Sequence, residues 1–181
     1  MAGENQESLQ QWAGRLRDGS STVSIDEDPT LHMVERTAKD GKWAFAAEHA
    51  RRYIASAGLD DGWDGPRPIL LLYTRGRRTG LVRRNPLLYW EAAGVPVVIG
   101  SRGGDIRHPD WYLNILEDRN VHVRQGGDFY PAIARVLSPD ARQEQWGPLT
   151  NRYPMFLEYQ DRSVRQIPLV GLSRADGCAS R

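Results

Sequence analysis

Between residues 69 and 101 three apolar runs, ILLLYT, LVRRNPLLYW and VPVVIGS, follow one another with only RGRRTG and EAAG between them. Connections of six and four residues are too short for a parallel crossover, so the runs read as three strands of an antiparallel meander. ILLLYT (69–74) is continuously apolar and too short for a stable helix, which predicts a strand buried on both faces. Alternation returns in VHVRQGGDFYPAIARVL, where Gly126-Gly127 occupies the place of a two-residue hairpin turn. A last β segment, QIPLVGL, follows at 166–172.

Helical signals are fewer. Trp43, Ala46, Ala47, Ala50, Tyr53, Ile54 and Ala57 recur at helical spacing across 42–57, and Gly58 supplies a stop. HPDWYLNILED (108–118) changes period behind Pro109, and SPDARQEQWGPL opens with Ser138 as N-cap and Pro139 in the first turn. About six strands interrupted by short helices, without βαβ alternation, predict a mainly β (α+β) antiparallel barrel with helices at its rim. We expect a polar N-terminal extension at 1–40 whose first thirty residues form a loosely ordered arm or a short cap, a single domain at 41–174, and a C-terminal tail at 175–181.

Charge is distributed unevenly. The net charge of the 181 residues is +1, but 75–107 holds seven arginines against Glu91 and Asp105. The near-neutral total argues against a nucleic-acid binder that relies on bulk charge. The cluster leaves three readings open: a grip on nucleic acid, a site for a smaller anion, or a solvated hairpin in a chain that uses 22 arginines and two lysines. Cys178 is the only cysteine, the first residues lack a signal peptide's basic and apolar regions, and no apolar run reaches the ~18 residues that span a bilayer. A cytoplasmic protein is the expectation. The four histidines stand apart from one another and from acids or thiols at metal-ligand spacing, so no metal site is expected.

RGRRTG has neither the glycine spacing nor the following helix of a Walker or dinucleotide loop. Backbone amides and guanidinium forks together suit a phosphate or carboxylate, which arginine takes bidentately. SRGGD (101–105), with Arg102 and Arg107, is a second turn of the same kind. Trp111-Tyr112 reads either as plain core or as an aromatic wall beside a planar ligand.

In order along the chain, LLLYTRGRRTGLVRRNPLLYW, VVIGSRGGDIRHPDWYLNILEDRNVHVR and NRYPMFLEYQDRSVRQIPLV resemble the deazaflavin-dependent nitroreductase family. Its members use coenzyme F420 and have a split β-barrel of the FMN/F420-binding type. The resemblance implies F420 as cofactor ahead of FMN. It implies that the deazaflavin's phosphate and glutamate tail lie on Arg77, Arg78 and Thr79, with Arg83, Arg84 and Asn85 following. Pro86, Leu87 and Leu88, and opposite them Ile99, Gly100, Ser101 and Arg102, match positions that bracket the ring. Asp110, Trp111, Tyr112, Leu113 and Asn114 match the segment that closes the site.

The implied chemistry is hydride transfer to an electrophilic planar small molecule: a quinone, nitroaromatic, enone or other activated alkene, or an intermediate in natural-product tailoring. Ser101, Tyr153 and Tyr159 are the proton-donor candidates, with solvent as a fourth, and Tyr153, Phe156 and Tyr159 the substrate-contact candidates. Where the nitroreductase branch carries Tyr-Pro-x-Tyr-x-x-Tyr, this chain has YPMFLEY, so Phe156 keeps an aromatic face and loses a hydroxyl. A cofactor-independent isomerase or cyclase on the same fold, and a non-catalytic deazaflavin-binding module, stand as alternatives. As partners we expect no nucleic acid and no transmembrane segment, with a homodimer and a peripheral membrane contact left open.

Overall fold

The computed structural model describes residues 29–59 and 67–175. Residues 1–28 of the arm or cap expected at 1–30, most of the Gly/Asp-rich turn after the first long helix, and Cys178 lie outside them. Strands β2 (Ile69–Arg75), β3 (Val82–Ala92) and β4 (Val95–Ile99) form the meander, β5 (Asn120–Gln125) and β6 (Asp128–Val136) the hairpin, and β7 (Leu169–Arg174) the last strand. The order β3-β2-β5-β6-β7-β4, with β3 also paired to β4, closes a six-stranded antiparallel barrel. This is the expected architecture. A two-residue strand, β1 (Lys39–Asp40), adds in parallel to β3 through Lys39↔Arg83 and Asp40↔Arg84.

Burial of β2 explains its lack of alternation. Leu70 and Leu72 point into the barrel with Val98, Val121, Val123 and Trp111. Ile69, Leu71 and Tyr73 face outward, where Leu31 of helix α1 (Pro29–Thr37) and Ala50 and Tyr53 of helix α2 (Ala44–Ala55) cover them. All three leucines are fully buried, so truncating any of them to alanine costs about 2 to 5 kcal/mol. Helix α1 therefore belongs to the core although its stretch reads as polar: Leu31 alone is buried along it, and Glu35 fastens it by an ion pair to Arg124 of β5 and by accepting from the Tyr73 hydroxyl.

Helix α3 (Asp110–Glu117) leaves β4 and caps one end of the barrel. Helices α4 (Pro139–Arg152) and α5 (Met155–Arg162) bury Leu149 and Phe156 against Ile99, Ile167 and Leu169, outside β4 and β7. Ser138 caps α4, its hydroxyl accepting from the Ala141 amide at 3.3 Å. Where α2 ends, Gly58 (φ +85) lies so close to the β5–β6 hairpin that a Cβ there would come within 2.4 Å of the Gly126 Cα. The Tyr53 hydroxyl completes that joint, accepting from the Gly126 amide and donating to the Ile69 carbonyl, each at 2.8 Å.

Candidate active site

The β2–β3 turn is closed by its own backbone. The Gly76 amide donates to the Leu81 carbonyl at 2.9 Å, and the Gly80 amide to the Gly76 carbonyl at 2.7 Å with Gly80 at φ +68. Buried Asn114 of α3 then ties the turn to the helix. Its Oδ1 accepts from the Arg77 amide (3.2 Å) and the Arg77 guanidinium (3.1 Å), and its Nδ2 donates to Thr74 Oγ1 at 3.0 Å. Asp110 adds an ion pair to Arg77 at 3.3 Å. Arg77 is thus a brace between turn and helix. The side chains of Arg78 and Arg83 have no hydrogen bond or ion pair among the described residues, and both residues border the cleft that opens beside the turn.

The second turn differs in its backbone. After Ser101 in the right-handed helical region, Arg102, Gly103 and Gly104 all carry positive φ, at 50, 64 and 84. A right-handed residue followed by a left-handed one turns consecutive amides toward a common point, the geometry of an anion-binding concavity. The conformation is held by cations: Arg102 reaches the His108 carbonyl and Asp105, and Arg165 donates to the carbonyls of Ser101 and Asp105 at 2.9 and 3.1 Å. Gly104 is forced by space as well, since a Cβ would meet the Tyr159 carbonyl oxygen at 3.0 Å. Gly100 is likewise required, because a Cβ there would lie 2.7 Å from the Pro168 ring.

Between these turns lies a cleft of about 810 Å³, within the ~300–1,000 Å³ of small-molecule sites. Arg77, Arg78, Thr79, Arg83 and Asn85 line it from the first turn and β3, with Pro86 and Leu87 beyond them. Arg102 and the α3 residues Asp110, Trp111, Leu113 and Asn114 line it too. A cationic rim running into an apolar floor suits a ligand that is anionic at one end and planar and apolar at the other. On its wall the His108 ring lies against Tyr112, tilted by 30° with ring centroids 4.7 Å apart. Burial, helped by the Arg165 charge, pushes the His108 pKa below its ordinary 6.5, and burial pushes the Tyr112 hydroxyl up.

Nine of the residues singled out in the sequence do not line the cleft. Arg84 turns away to an ion pair with Asp40 of β1, which raises its pKa although burial works the other way. Leu88 and Ile99 belong to apolar clusters, Gly100 and Ser101 are buried behind the second turn, and Tyr112 stands behind His108. Tyr153, Phe156 and Tyr159 share the apolar cluster outside β4, where Phe156 is 3% exposed with its neighbours' rings edge-on at 6.5 and 5.8 Å. Conversely, Gly41, Lys42, Trp43 and Ala46 form a wall on the N-terminal side, and Ile106 and Arg107 another. Nothing in the sequence pattern announced the first wall, because it depends on a two-residue strand.

Residues 45–173 match the family model described as F420H(2)-dependent quinone reductase. An F420H(2)-dependent quinone reductase of Mycobacterium tuberculosis is 31% identical over 113 residues, covering 61% of this chain and 76% of its own length. Among solved structures, one described as a domain-swapped dimer aligns with a TM-score of 0.56 at 33% identity, over 70% of this chain and 96% of that one. An F420-H2 dependent reductase, FDR-A, aligns with a TM-score of 0.54 at 35% identity, over 59% and 95%.

Proposed function

The chain belongs to the F420H(2)-dependent quinone reductase family, and from that premise we propose that the cleft between the two turns is where the cofactor and a quinone meet. The protein is an F420H2-dependent reductase, with coenzyme F420 as its cofactor. The residues present fit that group. Arg78 and Arg83, unpaired among the described residues, stand at the rim where an anionic tail would lie, and Pro86, Leu87 and Leu113 offer an apolar floor to a ring. That pairing of unpaired cations with an apolar floor is the observation that carries the proposal. Bound in its reduced form, the deazaflavin supplies a hydride.

The chain's own part is to bind, orient and leave a path for a proton. Asn114 and Arg77 fix the arginine turn against α3, so the backbone that carries Arg78 needs little reordering when an anion arrives. Reduction of a quinone to a hydroquinone takes one hydride and one proton. Burial keeps His108 mainly neutral at pH 7, and Ser101, Tyr153 and Tyr159 stand outside the cleft. We therefore assign the proton to water at the cleft mouth. Nitroaromatics, enones and other activated alkenes, natural-product intermediates included, are electrophiles of the same kind, and we extend the proposal to them.

Titrating the protein with oxidised F420, followed by the cofactor's fluorescence, and then measuring oxidation of the reduced form with a soluble naphthoquinone, tests this reading. Saturable binding and acceptor-dependent turnover are expected, with FMN binding more weakly. Binding without turnover on any acceptor would mark the protein as a carrier of the deazaflavin, and no binding would remove the assignment.

A further inference from the structure

Residues 39–43 form a strap along the cleft, and this strap precedes the segment that matches the family. It is held at three points. Lys39 and Asp40 pair in parallel with Arg83 and Arg84 of β3, and the Asp40 carboxylate takes the Arg84 guanidinium with Arg51 of α2 at 3.9 Å. Gly41 then lies so close to β3 that a Cβ would stand 3.3 Å from Asn85 Oδ1. From there the chain runs on through Lys42 to Trp43, both of which line the cleft that Pro86 and Leu87 also line.

Trp43 comes next. Its backbone is extended at the start of α2, and its side chain lines the cleft while staying 71% exposed. Among the cleft-lining residues only Trp43 and Ile106 (66%) are large hydrophobics left open to this degree. An exposed indole on the wall of a cleft whose lining includes Pro86 and Leu87, on a strap anchored by an ion pair, is placed to stack on a flat ligand.

We propose that Trp43 is a specificity-determining residue for the acceptor, covering the face of a fused-ring quinone that is turned away from the cofactor. The inference rests on the cleft being the site of F420-dependent quinone reduction. A planar acceptor offers two faces: hydride arrives at one, and the other is available to a wall that the chain supplies. The strap gives this chain a wall from residues outside the family match, set by aromatic area more than by polar contacts. Bicyclic acceptors gain from it, and monocyclic ones overlap it less.

The test compares wild type, Trp43→Phe and Trp43→Ala by three readouts: Kd for oxidised F420, and KM and kcat with a naphthoquinone and with p-benzoquinone. Because the side chain is exposed, both variants should fold. Trp43→Ala is expected to raise KM for the naphthoquinone about tenfold, as loss of stacking and apolar cover implies, and to leave kcat and the cofactor Kd within about twofold. Trp43→Phe should recover most of the loss, and p-benzoquinone should respond less. An unchanged naphthoquinone KM overturns the inference, as does a cofactor Kd that rises in step with it, for then the indole covers the cofactor. Those results need an active wild type; a wild type that neither binds nor oxidises the cofactor overturns the functional reading itself and the inference with it.

Discussion

The turns at 75–81 and 101–107 look alike in sequence, each a glycine-bearing loop with several arginines, and the structure uses them in opposite ways. In the first, the backbone closes itself by amide–carbonyl bonds and only Arg77 is tied down, so Arg78 and Arg83 remain open for a ligand. In the second, the backbone holds three successive positive φ angles, and the arginines around it are engaged in keeping it there. Guanidinium count therefore says little about anion binding. What separates the two turns is whether the loop's own carbonyls and carboxylates already occupy the donors.

The strongest way to break this contrast is to remove the open cations. Arg78→Ala combined with Arg83→Ala should weaken F420 binding by about 1.5 to 3 kcal/mol for each arginine, the worth of a hydrogen bond to a charged partner, and leave the melting temperature unchanged. Fluorescence titration beside thermal unfolding checks both halves. A double variant that binds as tightly as wild type would mean that the first turn is only a solvated hairpin.

Removing a bracing cation should do the reverse. Arg165→Ala leaves the Ser101 and Asp105 carbonyls without their guanidinium donor, a loss of about 2 kcal/mol in stability. Denaturant unfolding should show the fall, while cofactor affinity of the remaining folded protein changes little. A variant with wild-type stability and weakened binding would show that the second turn, too, serves the ligand directly.

A third glycine turn, at the β5–β6 hairpin, supplies the control, because its residues do not line the cleft between the two arginine turns. The sequence marked Gly126-Gly127 as a pair, but the structure separates them: Gly126 has φ +62 and donates to Tyr53, whereas Gly127 has neither positive φ nor a neighbour within 4 Å of a Cβ. Gly126→Val should cost about 1 kcal/mol or somewhat more, Gly127→Val much less, and neither should alter cofactor affinity. Equal losses would mean that the hairpin's strain is shared between the two positions.

How much was legible follows from the same physics. The barrel could be read because burial on two faces leaves a continuous apolar run at 69–74, and because short connections permit only antiparallel neighbours. The arginine turn and α3 left a sequence pattern of their own, and the structure brings Arg78 of the one and Asn114 of the other to the same cleft. Helix α1 was hidden because its hold on the core depends on Leu31 and on Glu35 meeting Arg124 from β5, 89 positions away. The YPMFLEY segment shows the opposite difficulty: aromatic residues that would suit a substrate wall also suit a helix packed on Ile99 and Leu169, the cluster in which Phe156 is buried. Arg84 belongs to the same group, since its partner Asp40 sits on a strand too short to carry a pattern.

The smallest effect asks whether the second turn feels pH. His108 leads from that turn into α3; its carbonyl accepts from Arg102, its ring lies tilted against Tyr112, and its Nδ1 is buried with no hydrogen-bond partner among the described residues. Burial first, and the positive charge of Arg165 second, disfavour the imidazolium, so the folded-state pKa lies below 6.5. Below that ordinary value the unfolded chain takes up a proton that the folded chain resists. The contribution to stability is therefore intact above pH 6.5 and is lost as the pH falls through and beneath it. His108→Gln, which keeps a polar side chain but cannot titrate, should flatten the decline of melting temperature between pH 6.5 and pH 5 and leave the curve above pH 7 parallel to that of wild type. In the Arg165→Ala background the decline should also be shallower, since one source of repulsion is gone. Curves for wild type and His108→Gln that run parallel down to pH 5 would show that the imidazole reaches water freely, and that the bracing of the second turn rests on its arginines alone.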